Sequence, residues 1–525
     1  MSHVATGRSS DTPAAEVLAD AVSGRQAGVP AAVWSLLALH VALLVLYTVL
    51  APTFRAPDEY MHVDLALHVA EGRGYPRFDE RQVPASIFQA RDTSPAYLSY
   101  APAVGADAAA PRAERPAFRD LGPEATDILN QMPQHPPLYY GLAGATLAGL
   151  DVLVDASSWP FDRQVAALRL LDVLLIAPLP LLAWSIARRL GLAPLAAIAT
   201  AAVVLCIPSL THIGSVVNND DLLVLLGGVL TLLVVRIMTG DTTKRTALLS
   251  GLVLGCALLT KGFALVLVPW LVTAHAVALI PARRWRELVS RAGAAMAVAF
   301  AVGGWWWARN LIVDGVLLPA VNLRDRVPVD PDVAEFARGF LDRLLSSVWG
   351  SFGWQEAELP VVMVGLLSLL LVIAVVLGLR QGPRRSAMVV LLLPAIALAL
   401  LIAANAWRAY LKTGVPYATQ GRYLFAGLLG VLVVAAGALP ALAPSRRRWA
   451  PMALLALAVL LHAAAIDTIT ARYWTGGRIG ALVAFSPWPP AVLGVMAAAV
   501  LLAVFAAARS LRPSVVADDV GASVH

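Results

Sequence analysis

A series of apolar segments, each long enough to span a bilayer, decides what this chain can fold into. They fall at about 31–53, 164–187, 192–210, 221–238, 246–260, 262–281, 291–312, 359–380, 386–404, 421–440, 449–468 and 487–509. In a bilayer core the backbone must satisfy its own hydrogen bonds, so segments of this length become helices. Composition agrees, with 59% hydrophobic and 14% charged residues, more apolar surface than a soluble core could bury. The expectation is an all-α polytopic membrane protein of about twelve transmembrane helices, in one domain over 31–510. Residues 1–30, polar and rich in Ala and Ser, read as a disordered cytoplasmic tail, and 511–525 as a second one. Cys206 and Cys256 both sit in apolar segments and read as small core residues. The net charge of +6 reads as an orientation signal rather than a nucleic-acid footprint.

A thirteenth apolar stretch, Pro136 to Val154, sets the parity of everything after it. Basic clusters follow at Arg188-Arg189, Lys244-Arg245, Arg283-Arg284-Trp285-Arg286, Arg384-Arg385 and Arg446-Arg447-Arg448, and again at Arg509 with Arg512. They recur at every second loop. Short cytoplasmic loops carry the Lys/Arg excess, so all of these clusters lie inside only if 136–154 does not cross. The expected arrangement has both termini in the cytoplasm and 136–154 as a juxtamembrane helix. Two large outer loops follow, 54–163 and 313–358. No internal repeat argues for an inverted-repeat transporter.

The first segment leaves the membrane at Ala56-Pro57-Asp58-Glu59-Tyr60-Met61-His62, with Asp64 and His68 beyond. Pro57 suits a first helical turn, and a helix from there to Glu71 places Asp58 one turn from His62, and Asp64 one turn from His68. Acids in a first turn complement the helix dipole, which accounts for one carboxylate. Two adjacent carboxylates at a membrane boundary are costly to desolvate, so Asp58 and Glu59 are the candidate catalytic residues. Asn218-Asn219-Asp220-Asp221 is a second acidic point. It reads either as an N-cap with first-turn acids or as a group facing the same cavity, orienting a hydroxyl or completing a metal site. Cations expected at the same face are Lys261, Arg309 after Trp305-Trp306-Trp307, and Arg408, Lys412 and Arg422 around Gln420-Gly421-Arg422-Tyr423. Each is either snorkelling to headgroups or part of a site for a lipid-linked phosphate. The Trp triplet suits an interfacial belt. Trp354, in Trp349-Gly350-Ser351-Phe352-Gly353-Trp354, suits either stacking on a sugar or pinning its loop to the bilayer.

In order along the chain, these pieces resemble the GT-C membrane glycosyltransferases, especially the protein O-mannosyltransferase and lipid A aminoarabinose transferase branch. The matching pieces are Pro57-Asp58-Glu59, His135-Pro136-Pro137-Leu138-Tyr139-Tyr140, Ala187-Arg188-Arg189-Leu190, Asn219-Asp220, Leu258-Leu259-Thr260-Lys261, Gly304-Trp305-Trp306-Trp307-Ala308-Arg309-Asn310 and Gln420-Gly421-Arg422-Tyr423. The resemblance implies a polyprenyl-phosphate sugar donor used on the outer face of a bacterial plasma membrane, with Asp58 as catalytic base. It also implies that the His-Pro-Pro helix is a juxtamembrane element. The expected function is an inverting transfer of a sugar to a hydroxyl on a glycan, lipid or protein acceptor. Lys261, Arg309, Arg422, Gln420 and Tyr423 are then the donor-phosphate candidates. His62, His135, Asp220 and Trp354 are the acceptor or sugar candidates. If a divalent cation such as Mg or Mn takes part, Asp58, Asp220 and Asp221 are its candidate ligands. One expected departure is the lack of the substantial soluble C-terminal domain of the oligosaccharyltransferase branch, which weakens a reading as peptide glycosylation at Asn. The alternative is a transporter or flippase of a lipid-linked envelope precursor. It needs polar residues along a path through the membrane, for which Asp172 and Arg169 are few.

Overall fold

The computed structural model describes residues 28–94, 110–319, 330–474 and 477–515. Most of the tails expected at 1–30 and 511–525 therefore lies outside the described residues. Among those described, ten helices are long and apolar enough to cross a membrane. They are Ala31–Leu50, Phe161–Leu190, Asp220–Met238, Gly262–Leu279, Trp285–Val313, Val361–Gln381, Arg385–Thr413, Gly421–Ala441, Ala450–Tyr473 and Pro490–Ser510. The protein is an integral membrane protein, predominantly helical, as expected. Helices such as Pro490–Ser510 leave large apolar side chains uncovered, Leu501 and Phe505 among them, which suits contact with lipid.

Two of the twelve expected spans fall short of this length. The stretch 192–210 breaks into Pro194–Val204 and Pro208–Ile213. Pro208 disfavours helical geometry in the residue before it, and Ile207 is non-helical with φ −124° and ψ 82°. Lys244–Leu258 has 15 residues, about 22 Å of helix, against roughly 30 Å of hydrocarbon. Its chain then turns out at Leu259–Lys261.

Among the described residues, the long connection after the first span is structured. It holds the helix Glu59–Ala70, strands β1 (Gln82–Pro84) and β2 (Ala125–Leu129), the helix Ala85–Asp92 and the helix Leu138–Val154. The strands pair antiparallel, Gln82 opposite Leu129 and Pro84 opposite Ala125. Leu138–Val154 is an apolar helix of 17 residues and packs along Glu59–Ala70. Gly144 makes the fit possible, since a Cβ there would meet Val69 and the backbone of Ala70. In the second loop, Val333–Trp349 leads into a hairpin of β3 (Ser351–Phe352) and β4 (Ala357–Glu358).

Two glycine contacts bring the segments of the site together. A Cβ on Gly227 would lie 2.3 Å from the Ala426 carbonyl oxygen, so the helix beginning at Asp220 presses backbone to backbone on the segment carrying Arg422. Small residues permit this close approach of helices where no water drives association. Gly421 sits equally tightly on Val348 in the helix Val333–Trp349, where a Cβ would be 2.4 Å from its backbone nitrogen.

Candidate active site

The site is built where the first segment ends. Helix Glu59–Ala70 starts at Glu59, two residues later than the sequence suggested. The reason is Asp58, which is left-handed with φ 61° and ψ 4°, a conformation that Asp tolerates better than most side chains. That turn sends two neighbouring carboxylates in different directions.

Glu59 points inward and is fully buried. Its Oε1 accepts from Arg169 Nε at 2.7 Å and Val217 N at 3.1 Å. Its Oε2 accepts from Arg169 Nη2 at 2.7 Å and Phe54 N at 2.8 Å. Arg169 in turn donates Nη1 to the carbonyls of Thr48 and Ala51 and Nη2 to that of Pro52. All five guanidinium donors are thus used.

Asp58 points to the mouth and keeps 16% side-chain exposure. Its Oδ1 accepts from Gln131 Nε2 at 3.2 Å, and its Oδ2 lies 3.4 Å from Arg422 Nη2. Arg422 Nε faces Asp220 Oδ2 at 3.4 Å. Asp220 Oδ1 accepts from Lys261 Nζ at 2.7 Å, and Asn219 Oδ1 accepts from the same ammonium at 3.1 Å. Tyr423 closes one side, with Lys261 Nζ 5.2 Å and the Arg422 guanidinium carbon 5.3 Å from its ring centre. Arg422 is 5% exposed, yet its Nη1 has no hydrogen-bond partner among the described residues. A buried guanidinium with an unused donor is costly to leave so and is well suited to an incoming oxyanion.

The remaining sequence candidates separate. His62 turns from Asp58 and pairs its Nδ1 with Tyr140 Oη at 2.9 Å, their rings stacked at 5.8 Å. Burial first, then the Lys261 charge, push its pKa well below the usual value. His135 lies beside the mouth, its carbonyl accepting from Tyr75 Oη. Burial, then Lys261, lower it to about 3, so both imidazoles are neutral at physiological pH. Asp64 and His68 both meet Arg81 instead of the mouth. Trp354 is half-buried at the tip of the β3–β4 hairpin. Glu356 Oε1 at 2.8 Å from Arg55 and Gln355 Nε2 donating to Thr419 O tie that hairpin to the chain just before Asp58 and to the stretch just before Gln420. Gln420 is half-buried and extended, directly before the segment that carries Arg422. Arg309 stands apart. It lies 3.6 Å from Asp314 and over the Trp306 ring, beside a smaller cavity lined also by Arg77 and Gln134. Gln131 gave no local signal in the sequence, while Arg169 stood out only as a charge inside an apolar segment, with nothing to name Glu59 as its partner.

A metal does not fit the three acids proposed for one. Arg422 stands between Asp58 and Asp220, and Lys261 occupies the other Asp220 oxygen. Asp221 turns away to accept from Asn218 Nδ2. Among the described residues no three His, Cys, Asp or Glu side chains gather as metal ligands.

Residues 126–323 match the family model described as dolichyl-phosphate-mannose-protein mannosyltransferase. The match covers 198 of the 525 residues, and the family it names is one of the GT-C membrane glycosyltransferases, which this stretch resembles. The matched stretch contains His135, Asp220, Lys261 and Arg309, while Asp58 and Arg422 reach the same mouth from outside it. No curated protein matches the chain. Solved structures similar to it include ArnT from Cupriavidus metallidurans bound to undecaprenyl phosphate. That match has TM-score 0.47 and 13% identity, over 93% of this chain and 77% of that one. The apo oligosaccharyltransferase of Archaeoglobus fulgidus gives TM-score 0.42 and 12% identity, over 91% and 56%. The chain thus spans little more than half the length of the archaeal protein.

Proposed function

We propose that this protein transfers a sugar from a polyprenyl-phosphate donor to a hydroxyl acceptor at the outer face of the membrane, with inversion at the anomeric carbon. The observation that carries the reading is Asp58 held at the mouth beside a buried Arg422 that has a donor to spare. The family description, which names a lipid-phosphate sugar, supports the donor class.

The acceptor oxygen attacks the anomeric carbon, and the bond from that carbon to the phosphate oxygen breaks. Its electron pair leaves with the polyprenyl phosphate. The hydroxyl proton passes to Asp58, whose Oδ1 is oriented by Gln131. Charge gathering on the departing phosphate is met by Arg422 and by the third N–H of Lys261. Both are fixed before the reaction and poorly hydrated, which is where such donors act most strongly. One displacement without a covalent intermediate inverts the configuration. Glu59 takes a positioning role in this reading: its four hydrogen bonds hold the turn that aims Asp58. Gln420 and Tyr423 form the wall around the phosphate, and Trp354, on the hairpin tied to the stretch just before Gln420, is placed to stack on a sugar ring. His135, neutral and half-buried, offers the sugar a hydrogen bond without a charge.

The test is transfer of labelled sugar from a panel of polyprenyl-phosphate sugars in membranes, comparing wild type with Asp58→Asn. Donor consumed by wild type and spared by the variant supports the reading, together with a product of inverted configuration. Translocation of an intact donor without bond cleavage would replace it with a flippase, and a retained configuration would remove the single-displacement mechanism.

A further inference from the structure

A large cavity lies apart from the Asp58 mouth. It measures about 790 Å³ and lies on another flank of the helix Glu59–Ala70, within the roughly 300–1,000 Å³ usual for small-molecule sites. Asp64, Leu67, His68 and Glu71 line it, the i, i+3, i+4, i+7 stripe of that helix. β1, the helix Ala85–Asp92 and the helix Leu138–Val154 supply the other walls.

The charges in this cavity are already spoken for. Arg81 donates to Asp64 and to His68 Nδ1. Arg73 lies 2.8 Å from Glu71, and Glu80 accepts from the Arg77 backbone. Arg119 donates to Ser157 and lies 3.5 Å from Asp155, and Asp151 accepts from Ser157 N. Such a lining presents no uncompensated cation cluster for a phosphate and no open carboxylate set for a metal. It instead interleaves donors and acceptors, with the Gln82 amide and Ser86 hydroxyl among them, over an apolar floor at Phe118, Leu121 and Leu147. A sugar has the same two-sided character, hydroxyls around its edge and a C–H face that packs on an aromatic ring.

The cavity wall is tied to the mouth. Asn130 Nδ2 donates to Asp64 Oδ2 at 2.7 Å and to the Met61 carbonyl at 2.9 Å. The next residue, Gln131, donates to Asp58. Asp58 and Asp64 are six residues apart, about 9 Å along a helix.

We infer that this cavity is a binding site for the neutral, hydroxyl-rich part of a glycan acceptor, remote from the hydroxyl that reacts. The inference rests on the transferase reading for its role, and its test does not depend on turnover. Mannotriose and maltotriose serve as probes in saturation-transfer NMR with the full chain in nanodiscs. Wild type is expected to transfer saturation to at least one of them. Ala148→Trp, which places an indole in the cavity, is expected to weaken binding at least ten-fold, and Asp58→Asn to leave it unchanged. Ser157→Trp, at another lining position, gives the same readout should Ala148→Trp not fold. Absence of binding to wild type, or equal binding after both cavity substitutions, overturns the inference. Loss of binding in Asp58→Asn assigns the sugar to the mouth and overturns it as well. Donor cleavage measured on the same samples separates the two proposals. Cleavage without cavity binding removes only this one, and binding without any donor cleavage removes only the transferase reading.

Discussion

Arg169 and Arg422 each hold one of two adjacent carboxylates, and the two pairs are built in opposite ways. Arg169 spends all five donors, on Glu59 and on three carbonyls of the segment leaving the membrane. Nothing is left for a ligand, and both side chains are sealed, at 3% and 0% exposure. Arg422 meets Asp58 and Asp220 only at 3.4 Å and keeps Nη1 free of any partner among the described residues. The first pair behaves as a joint and the second as a site under tension. A buried ion pair contributes little net stability against an apolar substitute, but breaking it leaves a charge stranded. A guanidinium held loosely between two acids can exchange partners when an anion arrives. The difference teaches that burial alone does not mark function; unfilled bonding capacity does.

The contrast can be broken most sharply at Asp58. Asp58→Asn keeps the shape and removes the base, and transfer is expected to fall by roughly 10²–10⁴-fold, read as product per folded enzyme. Glu59→Gln, by contrast, is expected to lower the melting temperature in detergent and to cost less in turnover of the folded fraction. A Glu59→Gln enzyme as inactive as Asp58→Asn at full stability would dissolve the distinction. At Arg422, Arg422→Gln is expected to cost about 10²–10³-fold in kcat, as for the loss of one preorganised donor to developing charge, with little change in thermal midpoint. At Arg169 the order reverses. Arg169→Met strands Glu59 and is expected to destabilise the fold by about 3–5 kcal/mol, measured by denaturation in detergent.

Gln131→Ala is the finer cut. Losing a hydrogen bond to a charged group is worth about 1.5–3 kcal/mol, so kcat is expected to drop roughly ten-fold or somewhat more while the donor KM holds. Gln131→Glu, which sets a second negative charge on Asp58, is expected to be worse than Gln131→Ala; the reverse order would mean that Gln131 does not touch the base. The smallest effect is on pH. His135 is lowered from 6.5 to about 3 and His68 to about 4, chiefly by burial. The unfolded chain therefore takes up protons below pH 6.5 that the folded chain refuses, and stability declines as pH falls from 6.5 towards 4. His135→Asn is expected to flatten part of that decline in a thermal melt followed against pH.

Much of this was legible in residue order. The membrane class follows from segment length and apolarity, because a bilayer admits few solutions. Asp58, Asp220, Lys261 and Arg422 stood out as charges at apolar boundaries, where each needs a local reason, and they do converge. Their division of labour was not legible. Asp58 and Glu59 are chemically alike and adjacent, and only the left-handed turn at Asp58 sends one to water and the other to Arg169. The break at Ile207 was signalled by Pro208, but the short reach of Lys244–Leu258 was masked by apolar residues that continue past its end.

The sequence by itself determined the medium, the helical class and the set of ionisable residues at the ends of apolar segments, since these depend on local hydropathy and on the cost of charge in lipid. Tertiary structure decided which charges face one another. Arg422 reaches Asp58 across 364 positions of sequence, and Gly227 against Ala426 brings Asp220 to the same guanidinium. Such meetings arise from helix packing, where one absent Cβ sets the distance between two backbones, and no local pattern encodes the partner.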